Sequence, residues 1–258
     1  MKKNRLLKDK KIIIILLLIV QTVVLALLVK YRIYQIKLQE KAETMKQLAT
    51  DTIVTVADDT EEKETAKFDF EKLRETNKDI YAWITIPDTM VDYPVLQSET
   101  DNKYLDTNID GSQGYPGCIY SNKCNSKKFD DYITVLYGHN MKSGEMFGSL
   151  HQFVEEEFFD DFDTYSIETE SARYIYSVYA VVNYNDSLIT AQYGVKTQEG
   201  RDAFIQSLEA CRGNGSTHFD DEVTFKDDDK VLVLSVCISG QKDRRLLVVS
   251  KLEEIIEF

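Results

Sequence analysis

VLVLSVCISGQKDRRLLVVSKL, residues 231–252, holds two apolar, strand-like runs joined by a polar turn. The first run ends at Cys237 and the second opens behind the twin arginines Arg244 and Arg245. Outward from this pair, ITI (84–86), VDYPVLQ (91–97), GCIY (117–120), YITVLYG (132–138), RYIYSVYAVVNY (173–184) and EVTF (222–225) also read as strands. They are rich in β-branched and aromatic residues, with Pro and Gly marking breaks. Helical patterns interrupt them. FDFEKLRETNKDIYAWI (68–84) places Phe70, Leu73, Ile80 and Trp83 at amphipathic spacing, as one short helix or two. GEMFGSLHQFVEEEFFDDF (144–162) and TQEGRDAFIQSLEACRG (197–213) are also helical; in the latter Phe204, Leu208 and Cys211 share a face and Gly213 is a stop. Many strands with a few inserted helices predict a mixed β-barrel.

The N-terminal end has a different composition. Lys2, Lys3, Arg5, Lys8, Lys10 and Lys11 form a basic tail over residues 1–11. Residues 12–29, IIIILLLIVQTVVLALLV, are apolar except for Gln21 and Thr22. As a helix, that run spans ~27 Å, close to the ~30 Å hydrocarbon core. No small-residue cleavage site follows Val29, so the run reads as an uncleaved anchor rather than a signal peptide. The basic tail predicts a cytoplasmic N-terminus and an extracytoplasmic remainder. Residues 30–66 read as a stalk, first YQIKLQEKAETMKQLA, which could extend the anchor helix, then an acidic, coreless tether; residues 67–258 are the folded domain.

The chain carries a net charge of −13, and its acidic excess lies wholly beyond residue 32. That argues against a nucleic-acid partner, which requires clustered cations. The acidic runs near residues 160 and 228 lack the ligand spacing of a calcium loop, and no metal site is expected. The four cysteines, Cys118, Cys124, Cys211 and Cys237, show no zinc-type pairing and are too few for a disulfide scaffold; Cys118 and Cys124 could bridge. Cys211 fits a core position. Of three histidines, His218 sits in a polar stretch and reads as solvated, and His151 reads as helix-face packing or exposed. His139 ends a strand, as Cys237 does, where a side chain is held firmly yet stays accessible. On spacing alone, a structural histidine fits as well as a catalytic one, and a buried cysteine as well as a nucleophile.

Taken together, the motifs are more specific. YGHNMKSGEMFGSL (137–150) resembles the histidine motif of class B sortases, the membrane-anchored cysteine transpeptidases of Gram-positive bacteria. LSVC (234–237) and RLLVVSKL (245–252) resemble their cysteine and arginine motifs. FEKLRETNKDIYAWITIPDTMVDYPVLQ and DNKYL are similar to the N-terminal helix and first strands of that class. The resemblance implies an eight-stranded sortase β-barrel with N-terminal helices and a helix between strands six and seven. It implies Cys237 as nucleophile, His139 as general acid and base, and Arg245 as third residue, with Arg244 at a variable place. Leu105, Tyr137 and Ser235 would line the substrate groove, and Ser187 and Leu188 would stand where the family has a Tyr-Ile pair. It implies no metal or organic cofactor. Its partners would be surface proteins bearing a C-terminal sorting signal, a peptidoglycan amine and the cytoplasmic membrane. The sequence departs from the family at Val236, where a threonine is usual, and at Cys124, near the place of an arginine. The rival functions are a cysteine L,D-transpeptidase, a cysteine protease and a non-catalytic membrane-anchored scaffold.

Overall fold

The computed structural model describes residues 2–53, 66–214 and 216–258. The chain divides into two units, Met1–Met45 and Lys46–Phe258. In the first, helix α1 (Lys2–Thr52) begins and carries one span long and apolar enough to cross a membrane, Ile15–Tyr34, with mean hydropathy 2.0 and no buried side chain. α1 runs unbroken into the expected stalk. Residues 54–65, which hold most of the expected tether, lie outside the described residues.

The second unit is built on strands β1 (Ile80–Thr85), β2 (Asp92–Gln97), β3 (Ile119–Ser121), β4 (Ile133–Gly138), β5 (Thr164–Glu168), β6 (Ala172–Asn185), β7 (His218–Phe219), β8 (Val231–Ile238) and β9 (Gln241–Glu257). They pair in the order β5-β1-β2-β3-β4-β8-β9-β6, and a β5–β6 ladder closes the ring into an eight-stranded barrel. β7 is a two-residue addition beside β6. β2–β3 and β4–β8 are parallel and the other pairs antiparallel. Helix α2 (Phe70–Thr76) precedes the barrel, α3 (Glu156–Asp161) follows a 3-10 turn at Gly148–Val154, and α4 (Ile189–Gln192) and α5 (Gln198–Glu209) fill the crossover between the sixth and seventh barrel strands. Asp69 caps α2 through Lys72 N (3.0 Å) and Thr197 caps α5 through Gly200 N (3.1 Å), each accepting from an otherwise orphaned first-turn N–H. Phe204 and Leu208 of α5, with Cys211 just past its end, pack into the core beside Val135, Val233 and Val249.

Three readings of the sequence are corrected. Ile80 and Trp83 belong to β1, not to a helix. Asn77 ends α2 in an extended conformation and its side-chain amide donates to the Ile109 carbonyl (2.9 Å). Beyond it the chain pairs with β2 on one side and β5 on the other, burying Trp83 completely. EVTF forms no strand. Phe225 meets Tyr179 edge-on at 5.0 Å, and the buried Arg201 guanidinium collects the carbonyls of Lys226 (2.6 Å), Asp227 (3.2 Å) and Asp229 (2.7 Å). His218 is half-buried rather than solvated: it sits in β7, donates from Nε2 to the Val154 carbonyl (2.6 Å) and stacks on Phe159. None of the four cysteines is in a disulfide.

Candidate active site

β4 and β8 run parallel with Gly138 opposite Val236 as their last paired rung. His139 and Cys237 therefore each stand one residue beyond that rung, on strands ~4.8 Å apart. Gly138 is required at this exit, because a Cβ there would fall 2.6 Å from the Phe147 ring and 2.5 Å from Ile119 Cδ1. On the other side of β8, the antiparallel register sets Arg245 of β9 directly opposite Cys237. The order β4-β8-β9 thus places an exposed thiol on the middle strand, with an imidazole on one neighbour and a guanidinium on the other.

Each flanking group is held from behind. The His139 carbonyl accepts from Phe147 N (3.1 Å), and the Tyr115 ring lies 4.9 Å from the imidazole at 57°. His139 Nε2 is 2.6 Å from the Leu105 carbonyl; a carbonyl can only accept, so Nε2 carries the proton. Leu105 ends a 3-10 turn (Lys103–Leu105) preceded by Asn102, a residue in the left-handed region (φ 59°) whose side-chain oxygen accepts from the Tyr120 hydroxyl (3.2 Å). Among the described residues, both hydrogen bonds of the Arg245 guanidinium use Nη1, to the carbonyls of Lys242 (3.1 Å) and Arg244 (2.8 Å). Nε and Nη2 are left to donate to a ligand. Arg244 turns away, giving Nε to Asn183 Oδ1 (2.6 Å) and Nη2 to the Asn183 carbonyl.

These groups open on a cleft of about 240 Å³. His139, Cys237 and Arg245 line it, and so do Leu105, Tyr137, Ser235, Ser187 and Leu188. Leu105 and Leu188 are exposed apolar side chains, 46% and 43% accessible. Ser187 belongs to a turn in which Asn185 Oδ1 accepts its backbone N–H (2.9 Å), and its hydroxyl donates to Gln192 (2.8 Å). The Tyr120 and Tyr137 rings stack at 5.4 Å. Burial pushes the Tyr137 phenol up to about 12; Thr190 approaches and opposes the rise, yet the buried hydroxyl has no hydrogen bond of ordinary geometry. Burial also raises the Tyr120 phenol, helped by Tyr137 and Cys237 nearby. Both phenols stay neutral at physiological pH.

Several lining residues were not foreseen from the sequence: Asn102, Tyr120, Asn185, Asp186, Ile189 and Leu247. Asn185 to Ile189 do carry a signal, a polar break between a long strand and the next helix, which is where loops over a site occur. The acidic run near residue 228 has a structural duty: Asp229 accepts from Lys226 N (2.7 Å) and lies 3.5 Å from Lys251 Nζ. Among the described residues no group of three or more His, Cys, Asp or Glu is arranged to hold a metal ion.

A thiol beside an imidazole that can pass a proton and a guanidinium that can bind an oxyanion is a set suited to acyl transfer. Known proteins carry the same architecture. The family model described as Sortase domain matches residues 84–253. Sortase B of Listeria monocytogenes is 28% identical over 165 residues, covering 64% of this chain and 65% of that protein, a little under two thirds of its length. Sortase B of Staphylococcus aureus is 25% identical over 240 residues, 90% of this chain and 94% of that protein. The crystal structure of sortase B from B. anthracis in complex with AAEK1 superposes with a TM-score of 0.71 and 26% identity, covering 85% of this chain and 99% of that one.

Proposed function

The chain belongs to the sortase family and, within it, to class B, and from that premise we propose that it is a cysteine transpeptidase that anchors surface proteins to the cell wall. Cys237 is the nucleophile. Its sulfur attacks the carbonyl of a threonine in a C-terminal sorting signal, forming a tetrahedral oxyanion. Arg245, permanently charged, donates to that oxygen through Nε and Nη2 and cannot act as a base. The C–N bond breaks, and His139 as imidazolium protonates the departing amine. The thioacyl enzyme then meets an amine of a peptidoglycan precursor or cross-bridge. Neutral His139 takes the proton of the attacking nitrogen, and the thiol leaves as the new amide forms. Nε2 of the imidazole holds the Leu105 carbonyl, and substrate entering beside Leu105 is in position to displace it.

In this reading residues 1–11 are a cytoplasmic tail, 12–29 the anchor, 30–66 the stalk and 67–258 the catalytic domain outside the membrane. Leu105, Tyr137, Ser235, Ser187 and Leu188 contact the sorting signal. The observation that carries the reading is the exposed thiol on the strand between those bearing His139 and Arg245. Intact-mass spectrometry of the full chain in detergent, incubated with a pool of sorting-signal peptides, tests it. A mass gain mapped to Cys237, absent in Cys237→Ala and released by an added amine, is the expected result. Peptide cleavage indifferent to added amine would replace transfer by proteolysis, and the absence of any adduct on a folded protein would favour a scaffold.

A further inference from the structure

The backbone carbonyl of Cys237 itself has two side-chain donors. Asn140 Nδ2 lies 2.9 Å from it and His151 Nε2 3.2 Å. These donors reach the nucleophile's own peptide unit from two separate segments. Because β8 has run past its last rung with β4, this oxygen has no ladder partner on β4. Asn140 directly follows His139 and is itself fixed, bridging to Met146 and donating a second bond to Ser239 Oγ (3.3 Å). His151 projects from the 3-10 turn, whose neighbours Leu150 and Phe153 are fully buried and hold that turn against the barrel.

We infer that Asn140 and His151 are positioning residues that clamp the Cys237 carbonyl and so set the thiol at a fixed distance from His139. The inference rests on the transpeptidase reading and deepens it. The clamp has two consequences. It ties the nucleophile strand to the segment carrying the proton-transfer group, so the two move together. It also satisfies a carbonyl oxygen at the site where the ladder with β4 has ended. Since the oxygen only accepts, His151 presents Nε2–H, and a side-chain amide of similar reach can replace it.

The test compares wild type, His151→Ala, His151→Gln, Asn140→Ala and the double alanine variant as full chains in detergent. It uses the peptide that acylates wild type and a methanethiosulfonate reagent as a second, peptide-independent probe. Each single alanine change is expected to lower kcat about fivefold with KM held, the size of one lost hydrogen bond, and to slow alkylation of Cys237 in the same direction. His151→Gln restores the rate to within about twofold of wild type. The double variant departs from additivity, as two donors sharing one acceptor require. Unchanged kcat and unchanged alkylation in folded His151→Ala overturn the clamp, as does a loss that follows thermal stability alone and is not rescued by Gln. If wild type itself forms no adduct, the function reading fails while the alkylation arm still decides the clamp.

Discussion

Cys237 and Cys211 make an instructive pair. Both have an arginine at the start of β9 nearby: Arg245 opposite Cys237 in the ladder, and Arg244 close enough to Cys211 to oppose the rise in its pKa. Yet Cys237 is exposed at a strand end among hydrogen-bond donors, and Cys211 is packed with Phe204 and Leu208 in the core, where burial pushes its thiol up. A nearby arginine does not make a nucleophile. Access, and a backbone that delivers the sulfur past the last rung of a ladder, distinguish the two sites.

The comparison can be broken most severely by alanine at each cysteine. Cys237→Ala is expected to abolish acylation, a loss of at least ~10³-fold in kcat, while Cys211→Ala stays within about twofold in the same peptide assay. The arginines should separate next. Arg245→Ala lowers kcat by about 10²-fold or more through the lost oxyanion donor, and Arg244→Ala lowers it less than tenfold because that side chain is committed to Asn183. Mass-mapped alkylation of the native protein sharpens the contrast, with Cys237 labelled and Cys211 protected until denaturant is added. Stability gives a smaller difference: Cys211→Ala costs about 1 kcal/mol in a denaturation curve, from the cavity it leaves. Smallest is a pH effect. Cys211 keeps its proton in the folded chain when the unfolded chain has begun to lose it. Stability therefore falls as pH rises above the ordinary thiol range of ~8.5, and Cys211→Ala should flatten that part of the melting-temperature profile.

The sequence carried unequal amounts of this. β4, β8 and β9 were legible because long Val- and Leu-rich runs end abruptly at Gly-His, Cys-Ile-Ser-Gly and Arg-Arg, and the motifs there are specific. α5 was legible from a helical stripe with a Gly stop. β1 was misread because Phe70, Leu73, Ile80 and Trp83 satisfy a helical spacing, and a strand buried on both faces shows no alternation to contradict it. EVTF was misread because the Arg201 guanidinium that holds the following carbonyls is more than twenty residues away in the chain. The clamp on the Cys237 carbonyl left no mark at all. Asn140 and His151 are unremarkable by type, and their acceptor is a main-chain atom that becomes available only where β4 and β8 part.

The closure of the barrel has a consequence for recognition. Among the described residues the β5–β6 ladder closes the eight strands, which leaves open main-chain edge only in short stretches such as Val182–Asn185 of β6, paired with β9 alone. In the proposed reading, side chains and loop carbonyls around the cleft read most of a client. Selectivity in that reading rests on exposed cleft side chains such as Leu105 and Leu188, which project from turns rather than from the barrel strands.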